Sequence, residues 1–308
     1  MTAVLSGFAA LAAVIAVGWV AGRTGVLGDG AAGVLSRLSF YVATPALLVL
    51  TLAASDPAAL FSSALVATGG SALLAAGLHV GLAGRRSRRS PAQLATGALA
   101  SCYVNAANLG VPITAYVLGD ASYVAPVLLF QVLVLAPVGL AVLAGSRSGA
   151  GAPSRWRVLT QPVRTPVVLG CAVGLLLAGT GLRLPSLVLQ PLQLLAALAV
   201  PAALVAFGLS LHGAPRPASG EGSGQVWLAV VLKTVVQPGL AYVLGRWGVG
   251  LTGVPLLAVT LTSALPTAQN VFVYATAYDQ GIELARDVVL VTTVLSAPVL
   301  VGVAVALG

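Results

Sequence analysis

Charge is what this sequence has least of. Only 7% of its 308 residues are Asp, Glu, Lys or Arg, against about 25% in a soluble domain. A chain with so little charge and 58% hydrophobic residues does not read as a soluble globular protein. Histidine and cysteine are also scarce, at two each. Cys102 and Cys171 lie far apart in apolar segments and read as small buried hydrophobes. No CxxC pair or Cys/His cluster suggests a metal site. The apolar runs contain no His/Asp pair and no GxSxG elbow, which argues against an enzyme, and no cofactor is expected. The formal charge of +8 lacks the basic face or aromatic platform that nucleic-acid binding requires. Gly220-Glu-Gly222-Ser-Gly224 has no strand before it, so it reads as part of a flexible Gly213–Gly224 linker and not as a phosphate loop.

Long apolar runs are what the chain does have. Runs of roughly 20 residues suffice to cross a bilayer. Ten are expected, at 3–22, 33–53, 58–83, 92–118, 122–145, 164–181, 187–211, 226–247, 254–278 and 284–307. The first has no basic segment before it and Arg23 after it. It therefore reads as a membrane helix and not as a cleaved signal. Arginines sort by side. Arg23, Arg37, the Arg85-Arg86-Ser-Arg88-Arg89 run, Arg147, Arg155, Arg157, Arg164, Arg216 and Arg286 share one side, and Arg183 and Arg246 the other. The positive-inside rule makes the first side cytoplasmic. Ten spans then place both termini outside the cytoplasmic membrane.

The two halves resemble each other. The second span carries Leu38-Ser-Phe-Tyr-Val-Ala-Thr-Pro45-Ala-Leu-Leu. The seventh carries Leu194-Leu-Ala-Ala-Leu-Ala-Val-Pro201-Ala-Ala-Leu. Ala136-Pro137-Val138 in the fifth matches Ala297-Pro298-Val299 in the tenth. Residues 1–145 and 164–308 are thus expected to be two five-helix repeats, joined by a cytoplasmic linker at 146–163. Because five is odd, the second repeat starts on the opposite side, so the repeat is inverted. That arrangement supports alternating access.

Between these landmarks each half has a broken span. The fourth contains Ser101-Cys-Tyr-Val-Asn105-Ala-Ala-Asn108-Leu-Gly110-Val-Pro112. The ninth contains Ser263-Ala-Leu-Pro266-Thr267-Ala-Gln269-Asn270. A broken backbone facing lipid would leave N–H and C=O groups without partners, so both breaks belong inside the protein. Half-helices starting near Pro112 and Asn270 would each carry about +0.5 of a charge at the N-terminus. Two such ends make an anion site. Asn105, Asn108, Gln269 and Asn270 add neutral donors, and Ser101, Ser263 and Thr267 add hydroxyls. Lys233 is the cation that lies deep within a span, about two turns from its cytoplasmic end. It either snorkels to the headgroups or faces inward along an anion path. His79 reads as an interfacial residue. No Asp or Glu lies deep in a span, where a proton or sodium relay usually has one.

These residues resemble the auxin efflux carrier family, which includes bacterial dicarboxylate carriers. The matching segments are Asn105-Ala-Ala107-Asn108-Leu-Gly110-Val-Pro112, with Ala107 where the family has Gly, and Pro266-Thr267-Ala-Gln269-Asn270-Val-Phe272, with Gln269 in place of a second Pro. Lys233 with Pro238, Tyr278, Glu283-Leu-Ala and Thr293-Val-Leu-Ser also look like the family. The resemblance implies an all-α fold of two inverted five-helix repeats with crossing fourth and ninth helices. It implies a scaffold from helices 1, 2, 6 and 7 and an elevator-like transport domain from helices 3–5 and 8–10. It also implies a homodimer and small organic anions as substrates. Asn105 and Asn270 carry over as substrate contacts, and Pro112 and Pro266 as crossover prolines. The long cytoplasmic loop of plant members is missing. The expected function is a carrier for small carboxylates. A sodium-coupled organic-anion symporter of the bile-acid type is the alternative.

Overall fold

In a computed structural model the described residues are 2–54, 62–86, 89–110, 113–114, 117–145, 166–213, 216–219 and 222–308. They are helical throughout, apart from short connections and one isolated β-bridge. The helices are α1 (Thr2–Thr24), α2 (Ala31–Ala53), α3 (Ser63–Arg86), α4 (Pro91–Cys102), α5 (Ser122–Gly145), α6 (Pro166–Thr180), α7 (Ser186–Leu211), α8 (Ser223–Gly248), α9 (Gly253–Ser263), α10 (Gln269–Tyr278) and α11 (Ile282–Leu307).

Six of these are long and apolar enough to cross a membrane: α2, α5, α7, α8 and α11, with α3 over Ser63–Arg85. Ala12–Thr24, Leu169–Thr180 and Gly253–Ser263 are shorter apolar helical stretches. The chain is a polytopic α-helical membrane protein. The expected spans 92–118 and 254–278 are interrupted helices. The expected linker 146–163 and Pro112 lie outside the described residues. One expectation fails: Ser223 and Gly224 begin α8 and are not flexible linker.

Proline shapes three of the long helices in the same way. The turns Ser39–Ala43, Gln131–Leu135 and Leu232–Val236 are widened to the π form. Each lies just before a proline, namely Pro45, Pro137 and Pro238. Proline offers no N–H and its ring crowds the carbonyl of residue i−4. A wide turn relieves that crowding and keeps the helix continuous.

Glycine sets the tightest helix contacts. A Cβ on Gly18 of α1 would collide with the Val205 carbonyl oxygen of α7, and one on Gly208 would collide with the Ile15 carbonyl oxygen. In the other half, a Cβ on Gly170 of α6 would lie 2.7 Å from the Pro45 carbonyl oxygen of α2, and one on Gly174 would lie 2.8 Å from Leu52 Cβ. Gly18/Gly22 and Gly170/Gly174 are both Gly-x3-Gly pairs, which let membrane helices approach backbone to backbone. So α1 packs on the proline-bearing helix of the second half, and α6 on that of the first.

Among the described residues few charges are buried. Arg286 and Asp287, near the start of α11, pair at 2.7 Å, and Asp287 Oδ2 accepts from the Ala218 N–H at 2.9 Å. That bond docks residues 216–219 onto α11.

Candidate functional site

The two interrupted helices meet at their breaks. After Cys102 the chain runs extended through Tyr103–Asn105, and after Ser263 it runs through Pro266–Ala268. These stretches pair antiparallel. Asn105 N–H donates to the Pro266 carbonyl at 2.8 Å, and Ala268 N–H donates to the Tyr103 carbonyl at 3.0 Å. Val104 and Thr267 face each other at the centre. Here each broken backbone satisfies the other, which is what the membrane interior requires.

Further groups brace the crossing. The Gln131 side-chain oxygen of α5 accepts from Val104 N–H. Thr292 Oγ1 of α11 accepts from Thr267 N–H at 3.1 Å. The two central N–H groups are thus each held by a side chain from the helix that follows in their own half. Thr267 Oγ1 donates to the Ala100 carbonyl at 2.7 Å. Gly110 is needed for closeness, since a Cβ there would sit 2.6 Å from Val124 Cγ2.

Beyond the crossing the helices restart. One restarts as a wide turn at Ala106–Gly110, six residues earlier than Pro112, where the sequence placed it. The other is α10, which starts at Gln269, one residue before the expected Asn270, with no side chain capping its N-terminus. In its first turn the Val271 N–H donates to the Ala268 carbonyl at 3.1 Å, while those of Gln269 and Asn270 have no partner within the helix.

The expected site residues fall into groups. Asn105 is 2% exposed and its Nδ2 donates to Gln269 Oε1 at 2.9 Å. That amide pair spans the crossing. Gln269 Nε2 is buried without a partner. Asn105 and Asn270 both line a cavity of about 60 Å³. Its other walls include Tyr103, Gln131, Thr44 and Thr51, with Ala199, Val200 and Ala203 of α7. The cavity therefore lies between the crossing and the helices α2 and α7. Its lining includes polar amides and hydroxyls and no charged side chain. It has room for a handful of waters and is far smaller than the ~300 Å³ of a typical ligand pocket. The Asn108 side chain and Pro112 lie outside the described residues.

Three expectations change. Ser101 is occupied elsewhere: its hydroxyl donates to the Gly97 carbonyl at 2.8 Å and meets His79 Nδ1 at 2.8 Å. His79 is fully buried and so is not an interfacial residue. Lys233 does not snorkel. It is fully buried, and its Nζ donates to the Ser263 carbonyl at 2.8 Å. Gln131, Thr292 and Gln237 were missed. A polar residue within an apolar run was the available signal for Gln131 and for Gln237, which directly precedes Pro238. Thr292 carried none.

Comparison with known proteins identifies the family. The chain matches the family described as membrane transport protein over residues 3–150 and 154–303. It is 24% identical over 290 residues to an uncharacterized transporter of Methanocaldococcus jannaschii, covering 92% of each chain. It is 26% identical over 220 residues to a putative malonate transporter of Rhizobium meliloti, covering 70% of this chain and 68% of that one. These relatives are transporters and not enzymes. A family match that runs through both broken helices and nearly end to end places the chain in the membrane transport protein (auxin efflux carrier) family, as a membrane transporter.

Proposed function

We propose that this transporter is a secondary carrier for small organic carboxylate anions in the cytoplasmic membrane. One observation carries the reading. Asn105 and Asn270 share an uncharged cavity beside an uncapped helix N-terminus at the crossing of two broken helices. N-terminal N–H groups and neutral amides attract an anion without the cost of burying a bare cation, about 2.5–3.5 kcal/mol on insertion scales. The relative named as a putative malonate transporter has a carboxylate in its name. Asn108, Thr267 and Gln269 complete the proposed cradle. In the described geometry, Thr267 and the Gln269 oxygen serve it indirectly, by fixing the crossing.

The carrier works by alternating access of an inverted repeat. Helices α1, α2, α6 and α7 form the scaffold, and α3–α5 with α8–α11 form an elevator-like transport domain. The exchanged glycine contacts of α1 with α7 and of α6 with α2 support a rigid four-helix scaffold. Aromatic rings occupy the proposed sliding face. Phe40 meets Tyr274 at 5.8 Å, and Phe207 meets Phe272 at 5.5 Å, both edge to face. The cavity lies along that face and is closed down in this geometry, so substrate entry requires the two bodies to separate. The functional unit is a homodimer joined through the scaffold.

Transport and orientation are testable separately. Proteoliposomes should take up malonate saturably, with acceleration by malonate loaded inside. Flux that rises linearly without counterflow would indicate a channel. For orientation, Cys102 and Cys171 are buried, so single introduced cysteines are read against little background. A cysteine at Ser219 should react only from the cytoplasm and one at Asp120 only from outside. The reverse pattern would overturn the orientation.

A further inference from the structure

Helix α8 carries a cation and an amide one turn apart, Lys233 and Gln237, both fully buried. Each reaches the end of a different broken helix. Lys233 Nζ donates to the carbonyl of Ser263, the last residue of α9, at 2.8 Å. Gln237 Nε2 donates to the carbonyl of Cys102, the last residue of α4, at 3.0 Å. A helix C-terminus carries about −0.5 of a charge. The two ends together approach one negative charge, and the ammonium opposes it. Two further oxygens here are buried without a hydrogen-bond partner, Ser263 Oγ and Gln237 Oε1. Ser263 Oγ belongs to the residue whose carbonyl Lys233 binds. Carbonyl, hydroxyl and amide oxygens together are the ligand set of a hard cation. Among the described residues no carboxylate is bonded to Lys233 in place of those oxygens.

We propose that the C-terminal ends of α9 and α4 form a monovalent-cation site that the chain fills with its own Lys233 ammonium. The cation is held covalently, so it does not dissociate during transport and no sodium ion is coupled at this position. Removing the amine while leaving the oxygens opens the site to a sodium-sized ion. The coupling consequence rests on the carrier function proposed above, but the site itself does not.

The test uses purified full-length protein and no carboxylate, so it stands or falls apart from the substrate reading. Melting temperature is followed while choline chloride is replaced by sodium chloride at constant ionic strength. Wild type should show no difference between the two salts. Lys233→Ala should melt lower than wild type in choline and rise saturably with sodium. Lys233→Met, which fills the space with an apolar chain, should melt lower and ignore sodium. Lys233→Gln, which adds an oxygen ligand, is the second reporter if Lys233→Ala is hard to recover. Recovery of either reporter in sodium but not in choline would support the site. A sodium-dependent rise in wild type would overturn it, as would indifference of both the Ala and Gln variants. Failure to recover either variant in both salts would also overturn it, because the oxygens would then not accept a free ion.

Discussion

Asn105→Ala is expected to lower carboxylate uptake by about 10- to 100-fold while leaving a folded protein. A hydrogen bond to a charged group is worth about 1.5–3 kcal/mol, and every ~1.4 kcal/mol is tenfold. Asn105 is buried and on the cavity wall, and its amide nitrogen already donates to Gln269 Oε1. An arriving carboxylate competes for that donor. Gln269 Nε2, buried and unpartnered, is the group a small rotation of the amide pair would present instead. Asn105→Asp should be more damaging than alanine, since it sets a negative charge against the anion. Asn270→Ala should match Asn105→Ala in size. Initial uptake rates in proteoliposomes, with elution profile and melting temperature as folding controls, decide the point. Full-rate uptake in both alanine variants would make the two amides structural.

Gly208→Leu is expected to have the largest effect on stability. A Cβ at Gly208 meets the Ile15 carbonyl oxygen and comes within 2.9 Å of Gly18 Cα. Both are backbone, which cannot rotate aside. Overpacking against yielding side chains costs about 1–3 kcal/mol, and here α1 and α7 must move apart along their whole contact. The loss should exceed that range and appear as a large drop in melting temperature or loss of extractable protein. Gly77 is the control, because a Cβ there has no neighbour within 4 Å. Gly77→Ala should leave the melting temperature unchanged or raised by up to about 1 kcal/mol of helix stability. A melting temperature in Gly208→Leu as high as in Gly77→Ala would mean that helix propensity, and not close approach, governs these glycines.

Much of this was legible in the sequence. The second break could be located to within a residue, because Pro266 bars helix continuation and the amides after it mark a restart near Asn270, one residue from the observed start at Gln269. The first could not. Pro112 drew the reading six residues too far, because the break at Tyr103–Val104 has no proline of its own. It is imposed by pairing with Pro266–Ala268, a contact made across more than 160 residues of chain. Lys233 shows the same limit. Its depth in the span was visible, but its partner is a main-chain carbonyl, and carbonyls have no sequence signature. Thr292 is one polar residue among several on α11, and only the fold brings it to Thr267.

The two broken helices are joined directly by main chain: two reciprocal N–H to carbonyl bonds link 103–105 to 266–268. Backbone bonds of this kind form with any side chain that tolerates the extended conformation. The main-chain part of the frame is therefore separable from the side chains that line the cavity, whereas Asn105 and Gln131 belong to both. Substitutions at wall positions that make no bond to the crossing, such as Thr51 and Val200, are expected to alter the cavity without disturbing the frame. Such a scaffold lets one architecture diversify across many cargoes, with specificity written on a few replaceable side chains.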